Sequence, residues 1–126
     1  EYPATVESPC FQHGDMTCLS CHSMHHSHPE DQLAAGMNGN QACLQCHISM
    51  AENIEQHTHH PESSSGSLCY NCHMPHTSYG LLKASRSHQV SVPNLASDRA
   101  AGRPNGCNLC HLDQTERWTG EYLAQW

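Results

Sequence analysis

Apolar residues fall along this chain in short, irregular groups. Nowhere do they alternate with polar residues for long enough to suggest a strand. Three segments carry a helical signal instead. Residues 29–37 begin with Pro29 in a first-turn position and run into Asn38-Gly39, a stop. Over residues 47–57, Ile48, Ala51 and Ile54 recur at the spacing of one helix face. From Asp113 to the end, Asp113 and Glu116 resemble a capping box, and Trp118, Tyr122 and Trp126 return every four residues. Residues 85–104 are rich in Ser, Pro, Asn and Gly and read as a surface loop with one helical turn near residues 97–101. The pattern therefore predicts a mostly irregular fold with short α-helices and little or no β, in one domain over residues 1–126.

Composition makes the missing apolar periods a problem to be solved. The 126 residues include one Phe and two Trp, and mean hydropathy is -0.65. A chain this small and polar cannot fill an ordinary core, so disulfides, a metal or a large apolar cofactor must contribute the interior. Nine cysteines and thirteen histidines show where to look. Nine is odd, so pairwise disulfides cannot use them all. Five basic against twelve acidic residues give a net charge of -7, which argues against nucleic acid and anionic membrane surfaces and favours basic protein partners. No segment approaches the roughly 20 apolar residues of a membrane span, and none has a signal-peptide layout, so the sequence reads as a mature chain or an excised domain.

Eight of the cysteines are explained at once by their spacing. They fall in Cys18-Leu19-Ser20-Cys21-His22, Cys43-Leu44-Gln45-Cys46-His47, Cys69-Tyr70-Asn71-Cys72-His73 and Cys107-Asn108-Leu109-Cys110-His111. Each is C-x-x-C-H, the attachment signature of c-type haem. Two thiols at this spacing each form a thioether to one vinyl group of the same haem, and the next imidazole reaches its iron. Zinc is the competing reading of paired C-x-x-C units, but zinc does not require His directly after every second Cys. With His at about one residue in ten, four such coincidences arise by chance on the order of 1 in 10,000. The expected cofactors are four covalently bound haem c groups, with the porphyrins as the apolar interior and the aromatic stripe packed against them. Cys10 is left over and reads first as a free thiol, with a cross-link to another chain or a remnant of a longer protein as the alternatives.

Each iron then needs a sixth ligand or an open position. Nine histidines lie outside the motifs, more than the four required, which makes bis-His ligation the economical reading. His25 follows His22 by three residues and His76 follows His73 by three, too close to reach the opposite face of the same haem. A ligand at either place would serve a neighbouring haem. His57 and His60 are three apart, so a helical turn would set them on one side of the backbone. His88 sits in the long final connection, able to return to an earlier haem. The first-choice set is His25, His57, His60 and His88, with His13, His59 and His76 in reserve and His26 and His28 as solvated neighbours. Methionine competes at Met16, Met37 and Met50 but is outnumbered; Met24 and Met74 lie too close to a proximal His.

Beyond the bare motifs, several stretches carry a resemblance. They are Ser8-Pro9-Cys10-Phe11-Gln12, the run from Cys18 to His25, His57-Thr58-His59-His60-Pro61, Cys72-His73-Met74-Pro75-His76-Thr77, Arg86-Ser87-His88, and the run from Arg103 to Asp113. Together they resemble the multihaem cytochromes with doubled C-x-x-C-H motifs, including forms fused to tetratricopeptide repeats, though no helical repeat is present here. The resemblance implies bis-His haems in an alternating stacked and perpendicular chain, export to the periplasm or beyond, and His25, His60 and His88 as ligands by position. In size and motif count the chain is similar to small periplasmic tetrahaem shuttles and to protomers of extracellular cytochrome filaments. The expected work is electron transfer without substrate chemistry, as a discrete carrier or as a polymer that borrows His13 or His76 across an interface. A reductase of small nitrogen or sulfur oxyanions, with one open haem, is the alternative.

Overall fold

The computed structural model describes residues 1–25, 27–80 and 82–126. Its helices are short: α1 (Tyr2–Glu7), α2 (Pro9–His13), α3 (Gln41–Leu44), α4 (Ile54–Thr58), α5 (Cys69–His73), α6 (Leu95–Ala100) and α7 (Glu116–Leu123). Single 3₁₀ turns lie at Cys18–Ser20, Ile48–Met50, Ser65–Ser67 and Cys107–Leu109. The mostly irregular, helix-containing class expected from the sequence is the one observed. Strands β1 (His76–Tyr79) and β2 (Lys83–Arg86) add one antiparallel ribbon, with His76 opposite Arg86 and Thr77 opposite Ser85. No strand was expected there, because β2 reads Lys-Ala-Ser-Arg and has no alternation to detect. The ribbon rests on its backbone ladder, which Ser87 N–H extends by donating to Pro75 O at 3.0 Å.

The chain forms two compact units, Pro9–Cys69 and Glu1–Ser8 with Tyr70–Trp126. In the first, the helix expected over residues 29–37 is absent. Its backbone groups are used instead to hold the segment after the first motif. Ser23 N–H donates to Gln32 O at 2.8 Å and Ala34 N–H to Cys21 O at 2.9 Å, around a bridge between His22 and Leu33. Gln32 sits at φ 54°, which no helix allows. The helix expected over residues 47–57 is also broken, into Ile48–Met50 and α4. Asn53 interrupts it at φ -127°, with its amide N–H donating to Met50 O at 3.1 Å and its side chain to Ser49 O at 3.3 Å.

In the second unit, α7 starts later than the capping pattern suggested. Thr115 is the cap, accepting from Trp118 N–H at 3.2 Å, whereas Asp113 accepts from the Gln114 side chain at 2.7 Å. The turn expected near residues 97–101 is α6, capped by Asn94, whose side chain accepts from Ser97 N–H at 2.9 Å. Thr119 on α7 is fully buried and donates to the Asn108 side chain at 2.7 Å.

Neither unit has an apolar core among the described residues. The buried positions are Pro75 and the polar residues Thr5, Ser8, Ser67, Asp98, Asn105 and Thr119. Of the ten large apolar side chains exposed among the described residues, five lie inside a C-x-x-C-H motif or within two residues of its end: Leu19, Met24, Ile48, Leu109 and Leu112. Apolar surface concentrated at such turns is what a flat apolar macrocycle would cover.

Candidate functional site

Each motif folds into one tight helical turn. In the first, Cys21 N–H and His22 N–H both donate to Cys18 O, at 3.3 and 2.9 Å. Cys46 and His47 repeat this on Cys43 O at 3.1 and 2.9 Å, and Cys110 and His111 on Cys107 O at 3.2 and 2.9 Å. The third motif is α5 itself. A turn of this kind brings the two thiols near one another and starts the His one position further round, the arrangement that two thioethers and an axial imidazole on one macrocycle require.

The two residues between the cysteines turn out to be more than spacers. Every motif has one apolar and one polar residue there: Leu19 and Ser20, Leu44 and Gln45, Tyr70 and Asn71, Leu109 and Asn108. The polar member stitches the turn to its surroundings. Ser20 Oγ accepts from Thr17 N–H at 3.0 Å. Gln45 Nε2 donates to Ser20 O and to Ala42 O, both at 2.9 Å, tying the second motif directly to the first. Asn71 Oδ1 accepts from Arg86 at 2.9 Å, and Asn108 donates to Gln114 O at 3.1 Å while accepting from Thr119. The sequence carried the signal, since the mixed apolar and polar pair repeats four times, yet the expected site residues stopped at the Cys and His positions.

Residues outside the motifs brace them further. The Arg86 guanidinium lies 4.1 Å over the Tyr70 ring and donates to Tyr70 O and Met74 O at 3.1 and 3.2 Å, covering the carbonyl end of α5. Burial pulls its pKa below the usual arginine range. Asp98, nearly buried, accepts from Arg103 Nε at 2.8 Å and from Asn105 Nδ2 at 2.7 Å. Asn105 then accepts from Cys107 N–H at 3.0 Å and opens the fourth turn. Gly106 lies so close to the end of the third motif that a Cβ there would stand 3.2 Å from Asn71 O.

Several imidazoles are oriented through Nδ1. His22 Nδ1 contacts Asp31 O and His73 Nδ1 contacts Ser91 O, both at 3.0 Å. His60 Nδ1 meets Thr58 O at 2.5 Å. His88 Nδ1 meets Arg86 O at 3.0 Å and the Glu1 carboxylate at 2.8 Å. A carbonyl oxygen only accepts, so Nδ1 is the donor in each of these contacts, and Nε2 is the nitrogen that a metal would take. His111 packs at a tilt against an aromatic ring. Its ring centroid is 4.9 Å from that of Trp118, Trp118 is 4.6 Å from Tyr122, and Tyr122 is 6.3 Å from Trp126, so the aromatic stripe runs outward from the fourth motif.

The remaining expected ligands are placed less tightly. His25 is exposed in a local turn where its N–H donates to Ser23 Oγ at 3.3 Å, and His13, His47, His57, His59 and His76 are exposed as well. His57 and His60 do not share a helical face. The helix ends at Thr58, and His59 closes it in the left-handed region at φ 56°, just before the His60-Pro61 step that disfavours helix. His28 is solvent-exposed, at 90 % for its side chain. His26 lies outside the described residues.

No disulfide joins any of the nine cysteines. In the unit Pro9–Cys69 they gather: the Cys43 thiol donates to the Cys69 sulfur, which pushes Cys43 up and holds Cys69 down. Cys21 and Cys10 are near enough to raise Cys43 further. Burial chiefly raises Cys21, with Cys46 adding to it, and burial raises Cys107. Among the described residues no three His, Cys, Asp or Glu side chains converge as a tetrahedral zinc site would need. The donors are paired along turns beside exposed apolar residues, which fits haem.

Residues 10–52, covering Cys10 and the first two motifs, match the family described as doubled CXXCH motif. No curated protein and no solved structure matches the chain. The doubled-motif match, together with the turns that build the motifs, supports a multihaem c-type cytochrome that holds covalently bound haem c and serves electron transfer. Among the described residues no helix is long and apolar enough to cross a membrane.

Proposed function

We propose that the chain carries four haems, one on each turn, and acts as an electron-transfer protein without substrate chemistry of its own. The thioether pairs are Cys18 and Cys21, Cys43 and Cys46, Cys69 and Cys72, and Cys107 and Cys110, with His22, His47, His73 and His111 as the first axial ligands. When bound, each haem supplies a one-electron iron couple whose potential is set by axial ligand, burial and hydrogen bonding. The observation that carries this reading is the repeated turn, in which the His N–H of the first, second and fourth motifs returns to the first Cys carbonyl at the same 2.9 Å and the third motif is a helix over its five residues.

His25, His57, His60 and His88 are the proposed second ligands. His60 and His88 have the stronger support, because each ring is already oriented through Nδ1. The net charge of -7 favours a basic redox partner, and thioether haem attachment is chemistry of exported proteins, periplasmic or extracellular. The test is mass spectrometry of the native protein with low-temperature electron paramagnetic resonance. Four attached haems with only low-spin bis-His signals are expected. Fewer than four, or a high-spin iron in the native protein, overturns the reading, and the high-spin result favours an oxyanion reductase. Electron microscopy separates a filamentous conduit from a discrete carrier.

A further inference from the structure

We propose that Gly66 is the positioning residue for His60: its missing side chain is the space in which the imidazole is set for the iron. The inference rests on His60 being a second axial ligand. A Cβ built on Gly66 would stand 2.3 Å from His60 Cδ2, 2.5 Å from Cγ and 2.8 Å from Nε2. Three ring atoms inside van der Waals contact mean that the imidazole lies directly against the Gly66 backbone. The glycine is not required by its own conformation, since it does not adopt a positive φ. What excludes a side chain is the ring.

Neither side of this contact can easily give way. The ring is tethered through Nδ1 to Thr58 O at 2.5 Å, and His60 N–H donates to Thr58 Oγ1 at 3.3 Å. Gly66 sits in the 3₁₀ turn Ser65–Ser67, where its N–H donates to Ser64 Oγ at 3.1 Å. The next residue, Ser67, is buried and its hydroxyl bonds Ser64 O at 2.7 Å and Glu62 O at 2.8 Å. Asn40 Nδ2 also donates to Ser67 O at 2.9 Å. The ring is therefore held between a local carbonyl and a stiff turn, so that its plane and its Nε2 direction are fixed before any ligand arrives. A methyl at residue 66 would turn the ring away and cost one iron its sixth ligand.

The experiment compares His60→Ala, Gly66→Ala, their double variant and Gly39→Ala, where a Cβ meets nothing within 4 Å. The readouts are low-spin against high-spin signals in electron paramagnetic resonance, and attached haems by mass. Gly66→Ala and His60→Ala are expected each to convert one haem to high spin with all haems still attached. Added imidazole should restore both, and Gly39→Ala should match the parent. If His60→Ala converts one haem while Gly66→Ala stays fully low-spin, the positioning role is overturned and the ligand survives. If His60→Ala itself stays fully low-spin, His60 is not a ligand and the role falls with it. Should Gly66→Ala fail to accumulate, the double variant decides. Removing the ring makes room for the methyl, so accumulation of the double variant with the His60→Ala spectrum supports the proposal, and its failure overturns it.

Discussion

The first two motifs and the last two are the same five-residue device, yet they are held together by different means. The first pair, 25 residues apart from Cys18 to Cys43, is joined motif to motif, with Gln45 of the second donating to Ser20 O of the first. The last pair, 38 residues apart from Cys69 to Cys107, meets through a close backbone approach at Gly106. Each member is then framed by residues outside the motifs: Arg86 covers the end of α5, and Asp98, Arg103 and Asn105 open the fourth turn. Short spacing allows the haem-binding turns to brace one another. Long spacing admits a scaffold, and the scaffold adds buried polar groups whose partners must all be present.

The scaffolded pair should therefore be the more fragile to single substitutions, and the largest effect is expected at its most buried member. Asp98→Ala leaves Arg103 and Asn105 without the carboxylate they share. Removing one partner of a buried ion pair costs about 3–5 kcal/mol, and the Asp98 and Arg103 side chains are 8 % and 21 % exposed. Chemical unfolding followed by circular dichroism measures the loss. A loss no greater than that of an ordinary surface substitution would remove the scaffold from the account.

Arg86→Ala comes next. It removes three hydrogen bonds from a charged donor, to Tyr70 O, Met74 O and Asn71 Oδ1, along with the contact over Tyr70. A loss of about 2–4 kcal/mol is expected. Lys at this place should recover only part of it, because an ammonium cannot span the same acceptors as a planar fork. Gly106→Ala should cost less, about 1–2 kcal/mol, since its new methyl stands 3.2 Å from Asn71 O and the two turns must part slightly. Thermal unfolding of the variant against the parent reads that difference, and an unchanged midpoint would show that the last pair is not closely packed there.

What could be read in advance follows the same division. The C-x-x-C-H turns were legible because covalent chemistry fixes their spacing, and the irregular fold was legible because no apolar period competes with them. The helix expected over residues 29–37 failed because the apolar pattern could not show that the backbone of Gln32 and Ala34 is used to hold Ser23 and Cys21. The β1 and β2 ribbon was invisible because it buries no apolar face and so leaves no alternation. His57 and His60 looked like neighbours on a helix because three-residue spacing says nothing of a left-handed His59 between them. Long-range polar braces such as Asp98 with Asn105 or Arg86 with Asn71 leave no periodic trace. They are found only when the chain is folded.

The smallest stability effect and the sharpest functional one should fall on the self-braced pair. Gln45→Leu keeps much of the side chain's bulk but removes both donations, to Ser20 O and to Ala42 O. Because these acceptors are only part-buried and can turn to water, the cost in stability should be about 1 kcal/mol. Yet Gln45 is the direct side-chain link between the first two turns, so the geometry between their haems should loosen more than the stability suggests. Magnetic coupling between the two ferric irons falls steeply with distance and orientation, and electron paramagnetic resonance of the oxidised protein reads it directly. Gln45→Leu is expected to weaken the coupling within the first pair and leave that of the second unchanged. Gly106→Ala should do the reverse. If both variants weaken the same signal, the two pairs are not independently braced, and the contrast between motif-to-motif and scaffolded assembly fails.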